Sequence, residues 1–221
     1  PDGKFVVTGS DMGAIRLWDT TTWTQTALLQ TSGASVEKLA FSADSQRLAS
    51  GSYDGTLQLW DMVSHTVAAA WTLEVGITDV AFSVDNSSLV AVYGYDGATL
   101  FNLDAGIQTE LANVWIPGSI AFSPDGSLLA IANKQMPGGD GWTSTIPLSF
   151  FNARTGAPLP VIWFDPLQNF HAVAFKDDTT LLVNTWEASE SWQIDDLFAA
   201  RPVTNEDQVG RGDILEVPTL F

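Results

Sequence analysis

Few residues in this chain could carry catalysis, and their spacing argues against it. The 221 residues include two histidines, His65 and His171, and no cysteine. Thiolate metal sites and disulfides are therefore excluded, and the two histidines are not spaced to share a metal. No metal and no other cofactor is expected. Asp177-Asp178 and Asp195-Asp196 are adjacent carboxylates. Neighbours on a strand point to opposite faces and cannot share one proton, so these pairs read as a turn and a helix cap. The capped helix would be short, over 195–201, and stopped by Pro202. The run Gly138-Gly139-Asp140-Gly141 has neither the lysine nor the helix of a phosphate loop, and no GxSxG elbow is present. Arg211-Gly212-Asp213 is short enough to arise by chance. Asn86-Ser87-Ser88 is a sequon with meaning only in a secreted eukaryotic protein. No catalytic residue is assigned. What the chain does repeat is an aromatic side chain near an acid: Tyr53-Asp54, Tyr95-Asp96, Asp140 with Trp142, and Trp186-Glu187. Tyr and Trp are enriched at interface hot spots, and a neighbouring acid favours Lys or Arg by charge and cation–π contact. This chemistry recognises a partner.

The elements that must carry these residues recur. Residues 41–61 read FSADSQRLASGSYDGTLQLWD, and residues 82–102 read FSVDNSSLVAVYGYDGATLFN in the same frame. Phe122 opens the pattern again with FSPDGSLLAIAN, and Phe175 with FKDDTTLLVNTW. Phe41, Phe82 and Phe122 stand 41 and 40 residues apart, and Phe175 follows after 53. The long interval holds an insertion over 134–145 whose Gly, Pro and Asp content marks a loop. Within one repeat, residues 36–42 alternate as a half-buried strand does. Ala43-Asp44-Ser45 turns the chain, 47–52 forms a small apolar strand, and Asp54-Gly55 supplies the positive φ angles of a tight hairpin. Residues 56–60 alternate again, and 66–72 complete four strands.

A period of about 40 residues, with a Trp-Asp pair and an Asp-Gly turn before it, is a specific signal. On FSADSQRLASGSYDGTLQLWD, FSPDGSLLA, Trp18-Asp19 and Trp60-Asp61, the chain resembles the WD40-repeat β-propellers. The resemblance implies an all-β fold, a β-propeller of four-stranded antiparallel blades with about five blades present. The repeats fall at about 1–35, 36–76, 77–116, 117–170 and 171–221. Third strands end at Trp18, Trp60, Phe101, Phe151 and Trp192, and Trp60 is expected to wedge between blades. One departure stands out. The Gly-His pair common in the family is replaced by Thr31-Ser32, Thr72-Leu73 and Ala112-Asn113, so its buried Asp–His–Ser–Trp network is expected to be incomplete. Pro1 aligns with Pro124, which suggests the C-terminal part of a longer propeller. A first strand, and any signal peptide, would then precede Pro1.

The resemblance also implies that loops between second and third strands open on one face, beside the loops joining successive blades. It would gather Tyr53, Asp54, Tyr95, Asp96, Asp140, Trp142 and Trp186 on one rim as a partner-binding face. The structural alternative is that each Tyr fills a variable slot beside its turn and packs on the next loop.

Twenty-six acidic residues against nine basic ones give a net charge of −17. Nucleic-acid binding needs Lys and Arg to neutralise phosphate, so nucleic acid and anionic membranes are disfavoured, and a protein or peptide partner, basic in character, is favoured. The other reading of this charge is solubility alone. No run reaches the roughly 18 apolar residues that span a bilayer. The expected function is a non-catalytic protein–protein interaction scaffold. The alternative is a regulatory or ligand-sensing propeller within a larger enzyme whose catalytic domain lies upstream of Pro1.

Overall fold

Alternation of apolar and polar residues, cut at regular intervals by Asp, Gly and Ser turns, makes the antiparallel strand the repeating element of the described residues. The computed structural model describes residues 1–95, 97–133, 146–164, 170–185 and 189–195. It contains five antiparallel sheets in succession. The first holds β1 (Phe5–Gly9), β2 (Ala14–Asp19) and β3 (Gln25–Gln30). The second holds β4 (Val36–Phe41), β5 (Arg47–Ser52), β6 (Thr56–Asp61) and β7 (Thr66–Thr72). The third holds β8 (Ile77–Phe82), β9 (Ser88–Tyr93), β10 (Gly97–Asn102) and β11 (Ile107–Glu110). The fourth holds β12 (Pro117–Phe122), β13 (Leu128–Asn133), β14 (Ile146–Asn152) and β15 (Ile162–Phe164). The fifth holds β16 (Phe170–Asp177), β17 (Thr180–Thr185) and β18 (Ser189–Gln193). Each is an up-and-down meander in chain order. β4, β8, β12 and β16 lie side by side from sheet to sheet, with β1 next to β4, so the sheets stand as blades around an inner row of strands. Of the helix expected over 195–201, only Asp195 lies within the described residues.

Burial follows from this stacking. A blade covered on both faces needs apolar residues on both faces of its middle strands. β5, β9 and β13 are accordingly buried almost end to end, while outer β3, β7 and β11 are largely exposed. The core forms four clusters, one in each seam between neighbouring sheets. Trp60 sits in the first seam, 3% exposed, with Ile15 and Leu29 of the preceding sheet. Phe101 fills the second, its ring 4.7 Å from that of Trp71. Phe151 lies in the third and Phe150 in the fourth. Full burial of one such aromatic is worth about 1.5–3 kcal/mol.

The repeated FS-x-D segment has a hydrogen-bonding cause. The buried hydroxyls of Ser42, Ser83 and Ser123 donate to Asp44, Asp85 and Asp125 at 2.5, 2.6 and 2.6 Å. The same hydroxyls accept the amides of Arg47, Ser88 and Leu128 at 2.8, 2.9 and 2.9 Å. Each turn between the first two strands of a blade is thereby closed from inside.

Candidate functional site

The blades expose two rims, one at each end of their strands. The first is made by the hairpins between second and third strands together with the connectors that enter the next blade. These loops are tied to one another. The Tyr53 amide donates to Ser35 O at 2.9 Å, Leu73 N to Gly55 O at 2.9 Å, and Gly94 N to Gly76 O at 3.2 Å. Ile116 N donates to Tyr95 O. Gly55 takes φ +83°, and a Cβ there would run into the Leu73 carbonyl, so the hairpin and the connector fit only through this glycine. On this fixed backbone Tyr53 and Tyr95 are 72% and 79% exposed, and Met12 in the corresponding hairpin of the first blade is 76% exposed. Most of each tyrosine side chain is therefore open to solvent.

Asp54 serves the fold as well as the rim. Its Oδ1 accepts the Thr56 amide at 3.0 Å, and its Oδ2 accepts the Ser32 hydroxyl at 2.7 Å. Partial burial opposes its ionisation, but these hydrogen bonds prevail and hold it below the ordinary carboxylate range. Ser32 thus takes the position expected for the missing histidine. Deeper in the blade, the Trp60 indole N–H donates to Ser50 Oγ at 2.9 Å. The blade thus holds two separate polar pairs, Ser32–Asp54 on the rim and Trp60–Ser50 in the seam. Asp96, Asp140, Trp142 and Trp186 lie outside the described residues.

One feature of this rim escapes sequence reasoning. Every inner strand begins with a β-bulge, an extra residue opposite its partner strand: Glu37 in β4, Thr78 in β8, Gly118 in β12 and His171 in β16. Bulges re-aim side chains and concentrate at sheet edges and beside sites. Just inside, Lys38 reaches Asp79 of the next inner strand at 3.8 Å, and Ser119 Oγ accepts the Val173 amide at 3.2 Å. Aligning the repeats does place Glu37, Thr78, Gly118 and His171 in one column. Their being extra residues is visible only in the strand pairing.

The second rim carries the turns between third and fourth strands. There the acid of each Trp-Asp pair caps the turn. Asp19 Oδ1 accepts the amides of Thr21 and Thr22, both at 2.8 Å. Asp61 Oδ1 accepts those of Val63 and Ser64 at 3.0 and 2.7 Å. Backbone amides hold both carboxyls below their ordinary range. Asn102 and Asn152 take the same place in the third and fourth blades. Among the described residues, no group of three or more His, Cys, Asp or Glu is placed to hold a metal.

Residues 23–61 match the family described as WD domain, G-beta repeat. The chain is 32% identical over 114 residues to the periodic tryptophan protein 2 homolog of Schizosaccharomyces pombe, covering 50% of this chain and 13% of that protein. It is 30% identical over 145 residues to telomerase protein component 1 of Rattus norvegicus, covering 64% of this chain and 5% of that protein. It is 39% identical over 85 residues to human striatin-4, covering 36% of this chain and 11% of that protein. The chain thus spans a small part of the relatives it matches. Among solved structures, the β-propeller domain of Myceliophteria thermophila Cps50 (Swd1) superposes with a TM-score of 0.72 at 15% identity, covering 86% of this chain and 62% of that one.

Proposed function

We propose that this chain, a WD40-repeat β-propeller protein, is a non-catalytic interaction scaffold that binds a partner segment on the rim of its second-to-third-strand hairpins. The observation that carries the reading is the pair Tyr53 and Tyr95, large aromatics 72% and 79% exposed on loops whose backbones are pinned to the neighbouring connector. Rigid exposed aromatics give contact area at little entropic cost. Asp54 and the net charge of −17 favour a partner segment bearing Lys or Arg, which would stack on the tyrosine rings. Asp96, Asp140, Trp142 and Trp186 extend the same face in this proposal.

The two kinds of residue have separable roles. Rim charge chiefly sets association rate and salt dependence, whereas loss of an aromatic anchor chiefly speeds dissociation. The experiment is a pull-down with the full-length protein from its source cell, comparing wild type with Tyr53→Ser/Tyr95→Ser and with Trp142→Ala. Loss of the same partners in both variants is the expected result. An unchanged partner set would sink the assignment.

A further inference from the structure

On the opposite rim, one turn position sets the first two blades apart from the next two. The turn after the capping Asp or Asn brings one residue into left-handed backbone: Trp23 at φ 56°, His65 at 57°, Gly106 at 68° and Gly156 at 71°. The turns correspond. The amides of Trp23, Gly106 and Gly156 donate to the carbonyls of Asp19, Asn102 and Asn152 at 2.8, 2.9 and 2.9 Å. Glycine takes this backbone freely, while a bulky L residue is strained there. The third and fourth blades use glycine, but the first two hold a tryptophan and a histidine. Neither ring is covered by the fold. Trp23 is 68% exposed and His65 is exposed, as is Val63, 80% exposed, in the same turn as His65. Backbone strain of this kind clusters at ligand clamps and other functional sites.

We infer that Trp23, Val63 and His65 form a second docking surface, on the face opposite Tyr53 and Tyr95, for an extended protein segment carrying Lys or Arg between apolar residues. Charge supports that occupant. Asp2, Asp19, Asp44 and Asp61 lie on this rim of the first two blades. Of the two cations beside them, Lys4 is ion-paired to Asp2 at 3.1 Å and the Arg47 guanidinium donates to Asn86 O at 3.4 Å. The apolar rings supply area, and the surplus of carboxylates supplies steering. The inference does not depend on the tyrosine rim, because the two surfaces share no residue.

The test uses the full chain and a short peptide of alternating Arg and Leu. Affinity is measured by calorimetry for wild type, for Trp23→Gly/His65→Gly, and for Tyr53→Ser/Tyr95→Ser. The glycine variant is expected to melt no lower than wild type, because glycine suits both turns, and to bind the peptide at least tenfold more weakly. Wild-type binding is expected to weaken as salt rises. A lowered melting temperature of the glycine variant would make the two rings structural and overturn the inference. So would peptide binding that is absent in wild type, unchanged in the glycine variant, or lost only in the tyrosine variant. Sedimentation showing a wild-type dimer that the glycine variant abolishes would assign the surface to a second copy of the chain, against the partner proposed here.

Discussion

The first seam of the molecule and the second share a backbone but are closed by different chemistry. In the first, Trp60 brings an indole N–H into the core and Ser50 accepts it at 2.9 Å. In the second, Phe101 has no donor, and the position of Ser50 is held by Ala91. The fourth blade repeats the second arrangement with Phe151 and Ile131. The first blade repeats the polar one, with Trp18 donating to Thr8 Oγ1 at 3.1 Å. In the fifth blade Val183 removes the acceptor, and Trp192 turns its N–H to Glu190 at 2.9 Å instead. Wherever the indole donor is kept an acceptor is supplied, from the second strand in the first two blades and from Glu190 in the fifth. The reason is energetic: a buried N–H without a partner costs about 1–3 kcal/mol, whereas replacing both groups with apolar ones is nearly neutral.

The strongest test removes the wedges. Trp60→Ala and Phe101→Ala should each cost about 3–5 kcal/mol in denaturant melts, the range for a large buried aromatic. Similar losses would show that the two seams carry equal weight despite their chemistry. A loss below about 1 kcal/mol at either site, the scale of an ordinary substitution, would break the comparison.

A finer test separates the polar latch from the packing. Ser50→Ala should cost about 1–3 kcal/mol, because the Trp60 N–H stays buried without its partner. Adding Trp60→Phe to Ser50→Ala recreates the pairing of the second seam. The double variant should lose clearly less than the sum of the single losses. Residues in contact couple by about 0.5–3 kcal/mol in such cycles, so strict additivity would show that the latch contributes nothing.

The sequence makes the blades plain because their causes are local. The FS-x-D turns, the Asp-Gly hairpin at Asp54-Gly55 and the Trp-Asp caps are each closed by hydrogen bonds over a few residues. The seams are legible through Trp60 and Phe101, whose position in the repeat fixes their burial. The rim was legible only in part. Tyr53 and Tyr95 could be named beside their turns, but their exposure depends on how each connector is tied to the preceding hairpin, which is a contact between blades. The bulges at Glu37, Thr78, Gly118 and His171 depend on pairing with a second strand. The strain at Trp23 and His65 becomes meaningful only when their φ angles are set beside those of Gly106 and Gly156.

The two kinds of seam should also differ in acid. Asp2, Asp19, Asp44, Asp54, Asp61, Asp85, Asp125 and Asp177 are all held below the ordinary value of 3.8, chiefly by hydrogen bonds to the ionised carboxyl. A carboxyl lowered in the fold adds stability that is complete above 3.8 and is lost as pH falls through its folded value. Melting temperature should therefore decline only below that value. The decline should also be local. The Trp blades cap their turns with Asp19 and Asp61, while the Phe blades use Asn102 and Asn152, which do not titrate. Amide protection factors at Thr22 and Ser64 should fall in acid before those at Ala105 and Thr155. A simultaneous fall would mean that the caps do not distinguish the blades.

The smallest effect on stability is expected where the aromatics face outward. Trp60 and Phe101 are 3% and 1% exposed, but Tyr53 and Tyr95 are 72% and 79% exposed. A side chain already in water gains little from the fold, so Tyr53→Ser and Tyr95→Ser should change stability by no more than about 0.5 kcal/mol. Asp54→Asn bears on the same point from the other side. It keeps a side-chain oxygen for the Thr56 amide but removes the charge that Ser32 and Thr56 help to hold ionised. Its cost should exceed that of either tyrosine variant, although all three residues share the rim. Denaturant melts of the three variants, run beside Trp60→Ala, decide the matter. If the tyrosine variants lose as much as Asp54→Asn, the tyrosines brace their loops and the rim is a structural edge. If they lose nothing, the rings are free for a partner, and Asp54 belongs first to the turn and second to the binding face.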